Sequence, residues 1–372
     1  MLSLPTLPWA DAFRIRAVMR ASNAIRILAG VMGFIGAAID PAAADCVADG
    51  AAAGSQGRFT MHLSADCTVA ERESRAIDAA SVLAALKQGQ AVDLSGVVIR
   101  GDLALDSLPV SSKPPAVEGV AIQQADQELR VVAAGVSIVN SVVQGTLKHQ
   151  SPQGLLFFTG PVTFAGTRFE RTVDLSRAVF AQPVTLSGAV FLGESYFVQG
   201  RFLREVTGEK TAFGPHTRFH RSQFHGPVTF QQSGFSGLTE FLEVTFDRDA
   251  NFSRTYFKQG TGFSGSRFTG MTDFSEALFD GDAFFTFARF DGDAFFRRTT
   301  FRATADFDDA EFNAREDFSK AFFEKGPQFA RAKRSSQAPD ALGVENPQIQ
   351  YAITLSLLLF SVLLIAYLIR SK

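Results

Sequence analysis

The sequence predicts an all-β fold, a β-helix solenoid of short stacked strands, and three observations predict it. The chain of 372 residues holds 38 Phe against 1 Trp and 4 Tyr, so one aromatic is demanded repeatedly. From Phe164 to Phe329 these residues are separated alternately by 5 and 6. Of the 31 positions in that series 28 are Phe, with Leu175, Leu186 and Gly208 as the exceptions. The residue two before a ladder position is small or β-branched, as at Thr167, Ala178, Ala189, Val228 and Thr239, and Gly recurs between units at Gly226, Gly237, Gly270, Gly281 and Gly292. An eleven-residue period also suits a right-handed helical coiled coil. Each Gly would cost such a helix about 1 kcal/mol, and β-branched residues favour strands.

Taken in order, the elements begin with a segment laid out as a secretory leader over 1–44. Arg14, Arg16, Arg20 and Arg26 precede an uncharged run from Ile27 to Ile39, and the small residues Ala42, Ala43 and Ala44 come before Asp45. That order of basic, apolar and small residues is what export and cleavage require, and Met19 would begin a more compact version. Residues 45–91 hold Cys46 and Cys67, the only cysteines, expected to pair in an oxidising compartment. The same stretch holds AASVLAALK (Ala79 to Lys87), which reads as a short helix. Together they form the cap that a solenoid end needs.

Residues 92–160 are the first, irregular coils. Leu94, Ile99 and Leu105 repeat the spacings of 5 and 6, Val136, Leu147 and Phe158 lie in phase with the later ladder, and an insertion is expected around Ser111 to Pro115. Residues 161–330 are regular. If two elevens make one coil of 22, equivalent residues stack about 4.8 Å apart and must be alike. The predicted core ladder there is Phe164, Phe169, Phe180, Phe191, Phe202, Phe213, Phe224, Phe235, Phe246, Phe257, Phe268, Phe279, Phe290, Phe301, Phe312 and Phe323, with Gly208 as a fault in the interleaved series. Residues 331–350 read as a polar linker broken by Pro339, Gly343 and Pro347. Tyr351 to Ile369 is uncharged and, as a helix rising ~1.5 Å per residue, reaches across a bilayer core. Arg370 and Lys372 follow it, which puts the tail 370–372 in the cytoplasm and the repeat body in the periplasm of a bacterial inner-membrane protein.

Units such as Ala305-Asp306-Phe307-Asp308-Asp309 and Ala310-Glu311-Phe312-Asn313-Ala314 resemble the pentapeptide-repeat family. The resemblance implies a right-handed, four-sided β-helix. The sixth residue in every second unit departs from the family's 20-residue coil and either bulges at a corner or widens the coil.

Chemistry is sparse. His216, His220 and His225 cluster in sequence but fall on different sides of a 22-residue coil, and read as exposed loop histidines rather than metal ligands. Asp306, Asp308, Asp309, Glu311, Glu316 and Asp317 read as a solvated outer face. No phosphate loop or nucleophile elbow occurs, so no cofactor and no catalytic residue is assigned. Val198, Leu203, Leu242, Phe284 and Phe295 are the candidates for an outward contact surface.

The expected role is therefore a non-enzymatic membrane-anchored scaffold binding an envelope protein, with self-association as a further possibility and no nucleic acid. The family resemblance implies a competing role, mimicry of DNA at a topoisomerase, which requires a cytoplasmic address and a strongly acidic rod. Residues 161–330 carry 22 acidic and 19 basic residues, a net of −3. A glycan-processing β-helix would need a column of carboxylates at 22-residue intervals, and none runs the length.

Overall fold

The computed structural model describes residues 46–49, 57–112, 115, 128–149 and 154–334. They form a parallel β-solenoid of about ten turns with four sheets, one along each side. One regular coil shows the plan. Val162–Thr163, Arg168–Phe169, Val173–Asp174 and Ala178–Phe180 each lie on a different face, and the chain then returns to place Val184 beside Val162 and Thr185 beside Thr163. We call these the first to fourth faces. Two elevens thus complete one circuit, and the coil remains four-sided.

The alternation of 5 and 6 follows from two kinds of corner. After the first and third faces the chain makes a tight turn, closed by Thr167 N–H to Phe164 O at 3.1 Å and by Ala178 N–H to Leu175 O at 3.2 Å. The third residue of that turn has positive φ, as at Gly166 (63°) and Arg177 (59°), which turns of type II require. Five residues span this corner. After the second and fourth faces the corner is an open bend, and the sixth residue is taken up there without adding a side. Gly237 occupies such a bend, where a Cβ would fall 1.6 Å from the carbonyl oxygen of Pro215 in the preceding coil.

The ladder fills the interior. Equivalent rings of successive coils stack in parallel, as Phe241 on Phe263 with centroids 4.9 Å apart, while neighbours within a coil meet edge on, as Phe235 with Phe241 at 5.9 Å and 77°. Both arrangements suit the aromatic quadrupole. From Phe164 to Phe312 the predicted ladder residues are buried, and Phe323 at the end is half-buried. The hydroxyls two before a ladder position are also internal. Ser222 Oγ donates to Phe197 O at 2.5 Å and Thr211 Oγ1 to Leu186 O at 2.8 Å, so these columns tie one coil to the last while occupying little space.

Several expectations change. Gly208 is not a fault in the coil: Val206–Thr207 pairs normally with Val228–Thr229. The ring of Phe230 occupies the space that a Gly208 side chain would need, with Cδ1 2.7 Å from the Cβ position. Val136 and Leu147 are not ladder residues. They pair with Val162 and Val173, in the columns two positions earlier, because the coil that leads from Val136 to Val162 is longer than the regular one and shifts the phase. Phe158 does stand in the ladder, against Phe180 at 5.0 Å. Leu94, Ile99 and Leu105 are buried as the spacing predicts.

The sheets reach upstream of Val92. Arg58–Leu63 pairs in parallel with Ala91–Ser95, and Ile77–Asp78 with Val98–Arg100. Between them lie helix α1, Val69–Ser74, started by a capping box of Thr68 and Glu71, and helix α2, Ala79–Lys87, which has the predicted bounds. Helix α2 buries Ala79, Val82, Ala85 and Leu86 against the strands of the first coil. Cys46 and Cys67 form a disulfide. The expected insertion lies in the coil between Val92 and its neighbour Val136, and doubles the length of chain in that coil. The leader 1–44, the linker beyond Arg334, the apolar stretch 351–369 and the tail lie outside the described residues. Among the described residues no helix is long and apolar enough to cross a membrane.

Candidate functional site

Because rings fill most of the interior, most side-chain chemistry lies on the four outer faces, where an outward column runs in register from coil to coil. The first presents Thr163, Thr185, Thr207 and Thr229 in register. The second presents Arg168 and then Val190, Ala212, Gly234, Tyr256, Leu278 and Thr300, six successive positions without a charge. The fourth presents Arg201, Gln223, Thr245, Arg267, Arg289 and Glu311. The third mixes Tyr196, Arg218, Glu240, Gly262 and Phe284.

Many of the charges on these faces and their corners are paired between coils. Arg221 meets Glu243 at 2.8 Å, Arg254 meets Glu276 at 3.0 Å, Arg302 meets Asp280 at 2.8 Å and Arg331 meets Asp309 at 2.5 Å, each across 22 residues. Asp291 is held by Arg267 and Arg289, both at 2.7 Å, and by Asn313. Burial alone would raise its pKa, but these hydrogen bonds outweigh it and pull it to about 2. Tyr256 is pushed up to about 12, by burial first and then by its hydrogen bond to Asp280. Sequence reading left these pairs unassigned, although opposite charges one full period apart were the signal available.

The predicted contact residues do not form one surface. Leu242 and Phe284 lie on the third-face side of the solenoid, Leu242 half-buried and Phe284 exposed, two coils apart with Gly262 between them. Val198 is half-buried in the column of Leu242, two coils further back. Leu203 instead packs into a separate cluster outside the fourth face, with Leu129, Phe157, Val179 and Ala181. Phe295 is not an open contact residue. Its ring points outward from the first face but is only 8% exposed, because Arg297 and Arg315 stack on it at 4.1 and 4.9 Å. Exposed Leu238 and Phe287 escaped the sequence reading. Phe287 holds the positive-φ turn position, two residues past ladder residue Phe285, where an apolar residue is itself the signal.

The histidines do not converge. His216 lies on a third-face strand and is half-buried, with Nε2 3.7 Å from Glu240, so it is not the exposed loop residue expected. His225, beyond the fourth face, has Nδ1 2.6 Å from Asp247 one coil on, beside a shallow depression lined by Leu203, Arg204, Gly226 and Arg248. Among the described residues no group of three His, Cys, Asp or Glu could hold a metal ion.

A fourth histidine is internal. His149 is 3% exposed, follows Leu147–Lys148 into the interior column of Leu175, and neither ring nitrogen has a hydrogen-bond partner of normal geometry. Burial, then the nearby Arg130 charge, pushes its pKa below the usual histidine range. The unfolded chain therefore takes up the proton first, and stability is lost as pH falls through ~6.5, levelling off below the folded pKa. His149→Leu is expected to stabilise the protein and to flatten that decline, checked by chemical unfolding at pH 7.5, 6.5 and 5.5. An unchanged pH profile in the variant would show that the decline comes from other groups.

A family model described as pentapeptide repeats (nine copies) matches residues 252–300, within the regular coils. No curated protein and no solved structure matches the chain.

Proposed function

We propose that this solenoid, whose residues 252–300 match a family model described as pentapeptide repeats, is a non-enzymatic scaffold whose outer faces bind other proteins of the bacterial envelope. The observation that carries this reading is the division of the coil. The core ladder fills the interior, and every face offers a flat, evenly spaced array of side chains to the outside. Such arrays suit extended protein contacts, as in other solenoids.

We place the body in the periplasm, tethered to the inner membrane by 351–369. Support comes from the leader-like segment before Asp45, the uncharged stretch followed by Arg370 and Lys372, and the Cys46–Cys67 bond, which persists in oxidising compartments. Mimicry of DNA is disfavoured by the paired surface, where Arg side chains one coil away neutralise many of the carboxylates.

The test combines address and partner. Protease and thiol-reagent access is measured in intact, outer-membrane-permeabilised and lysed cells, and photo-crosslinking residues replace Thr229, Leu278, Glu240 and Thr245, one on each face. Access on permeabilisation, an oxidised cysteine pair and face-specific adducts to protein are the expected results. Protection until lysis with reduced thiols would overturn the periplasmic placement, and the absence of protein adducts from all four faces would overturn the scaffold.

A further inference from the structure

The third face interrupts its polar column with an apolar patch whose floor is glycine. Gly260 and Gly262 lie between Leu238 and Glu240 of the coil before and Asp282 and Phe284 of the coil after. Leu242 lies down over this floor, and a Cβ on Gly262 would meet its Cδ2 at 2.7 Å. Leu238 stands beside it, 41% exposed, its Cδ1 3.5 Å from a Cβ placed on Gly260. Phe284 is 38% exposed and Phe287 66%. Leu238, Phe284 and Phe287 are three of the exposed large apolar side chains among the described residues, and a cluster of such residues marks a contact surface.

Phe287 is the strongest sign that this surface has a use. It adopts φ 57° at the corner position that equivalent coils fill with Arg177, Gln199, Arg221, Glu243, Gly265 and Asp309. A left-handed conformation costs a non-glycine residue about 1–2 kcal/mol, and Phe287 is the one large apolar residue among these equivalent corner positions, with its side chain mostly open to solvent.

The rim supplies the partner's chemistry. Glu240 and Glu243 lie on one side, and Asp282, Asp306 and Asp308 on the other. The two glutamates are paired with Arg218 and Arg221. The three aspartates accept backbone N–H groups, from Thr304, Asp308 and Ala330, and form no ion pair among the described residues. Lys325 acts on Asp282 and Arg331 on Asp308 only at longer range, so an apolar centre beside carboxylates without a direct ion pair is complementary to an apolar segment flanked by Lys or Arg. A second copy would bring like charge against like.

We propose that Leu238, Leu242, Phe284 and Phe287 form the docking site of a protein partner's apolar segment with basic flanks. This rests on the scaffold reading and names the surface and the partner's chemistry. Anchors buried in such a patch dominate binding, so loss of one ring is expected to cost about tenfold or more in affinity.

The test uses the full chain in detergent and two fluorescent dodecapeptides of alternating Leu and Phe, one flanked by Lys pairs and the other by Glu pairs. The Lys-flanked probe is expected to bind one to one, weaken with salt, and bind at least tenfold more tightly than the Glu-flanked one. Phe287→Gly is expected to lower its affinity about tenfold or more while leaving the melting temperature unchanged or higher, since Gly suits the turn. Phe284→Ser supplies an independent loss of a ring. Equal binding of the two probes, no saturable binding, or affinity indifferent to both variants would overturn the proposal, as would a dimer in sedimentation that Phe287→Gly abolishes. Photo-crosslinked protein adducts that persist in Phe287→Gly would leave the scaffold standing and remove only this site.

Discussion

Phe241→Ala is expected to destabilise the protein by about 3–5 kcal/mol, the range for truncating a buried aromatic. Phe241 is fully buried, stacked on Phe219 at 5.0 Å and Phe263 at 4.9 Å, and it touches Phe230, Phe235, Phe246 and Phe252. The void cannot collapse, because each coil is held at strand spacing by ladders on four sides. Phe241→Leu should cost less than about 1.5 kcal/mol, since Leu is a smaller change in volume and Leu175 and Leu186 already serve in the ladder. Urea unfolding gives both values, with the slope showing whether the transition still spans the whole array. A loss below about 1 kcal/mol for Phe241→Ala would mean that the coils close around the gap and that stacking matters less than strand pairing.

At the other end of the solenoid, Arg334→Ala is expected to loosen the last coil, by about 3–5 kcal/mol. Glu316 points inward, its side chain wholly buried in the column that other coils fill with Val162, Val184, Val206, Val228, Ala250 and Ala294. One carboxylate oxygen takes Arg334 Nε at 2.8 Å and the other has no hydrogen-bond partner, while the Arg334 guanidinium lies 5.7 Å from the Phe329 ring. Removing Arg334 leaves a buried charge alone. Glu316→Ala restores the small residue of the column and should be close to neutral or stabilising, and the double variant should match it. Hydrogen exchange at Phe318 to Phe329 reads the effect where it arises. Equal losses from both single variants would show that the pair contributes through packing rather than through the charge left behind.

The contrast between these two sites shows how far the sequence could be read. The ladder was legible because every coil repeats it, and strand stacking forces like residues over like. Helix α2 was legible from its composition and spacing, and the Cys46–Cys67 bond from there being only two cysteines. Glu316 was not legible, since it sits in an acidic run with Asp306, Asp308 and Asp309 and only the register of its strand turns it inward. Val136 and Leu147 were placed in the wrong column because a slightly longer loop leaves no trace in the hydrophobic pattern.

The candidate surface divides in the same way. Leu242 and Phe284 were recognised as outward apolar residues, but both adjoin Gly262 of the intervening coil, whose lack of a side chain leaves room for Leu242 to lie over it, which the coil-to-coil register determines. Phe295 had the same doubled-Phe signature as Phe284, and the two ended differently because Arg297 and Arg315 cover one ring, while among the described residues no guanidinium stacks on the other. By itself, the sequence determined the period and which ring of each pair points in, because those depend on local alternation and on stacking between equivalent positions, and the strand register then fixed the coil at 22 residues. Only the tertiary structure decided that the coil keeps four sides, which corner takes the sixth residue, which carboxylates are neutralised and which outward rings stay open, because those depend on contacts between side chains of neighbouring coils.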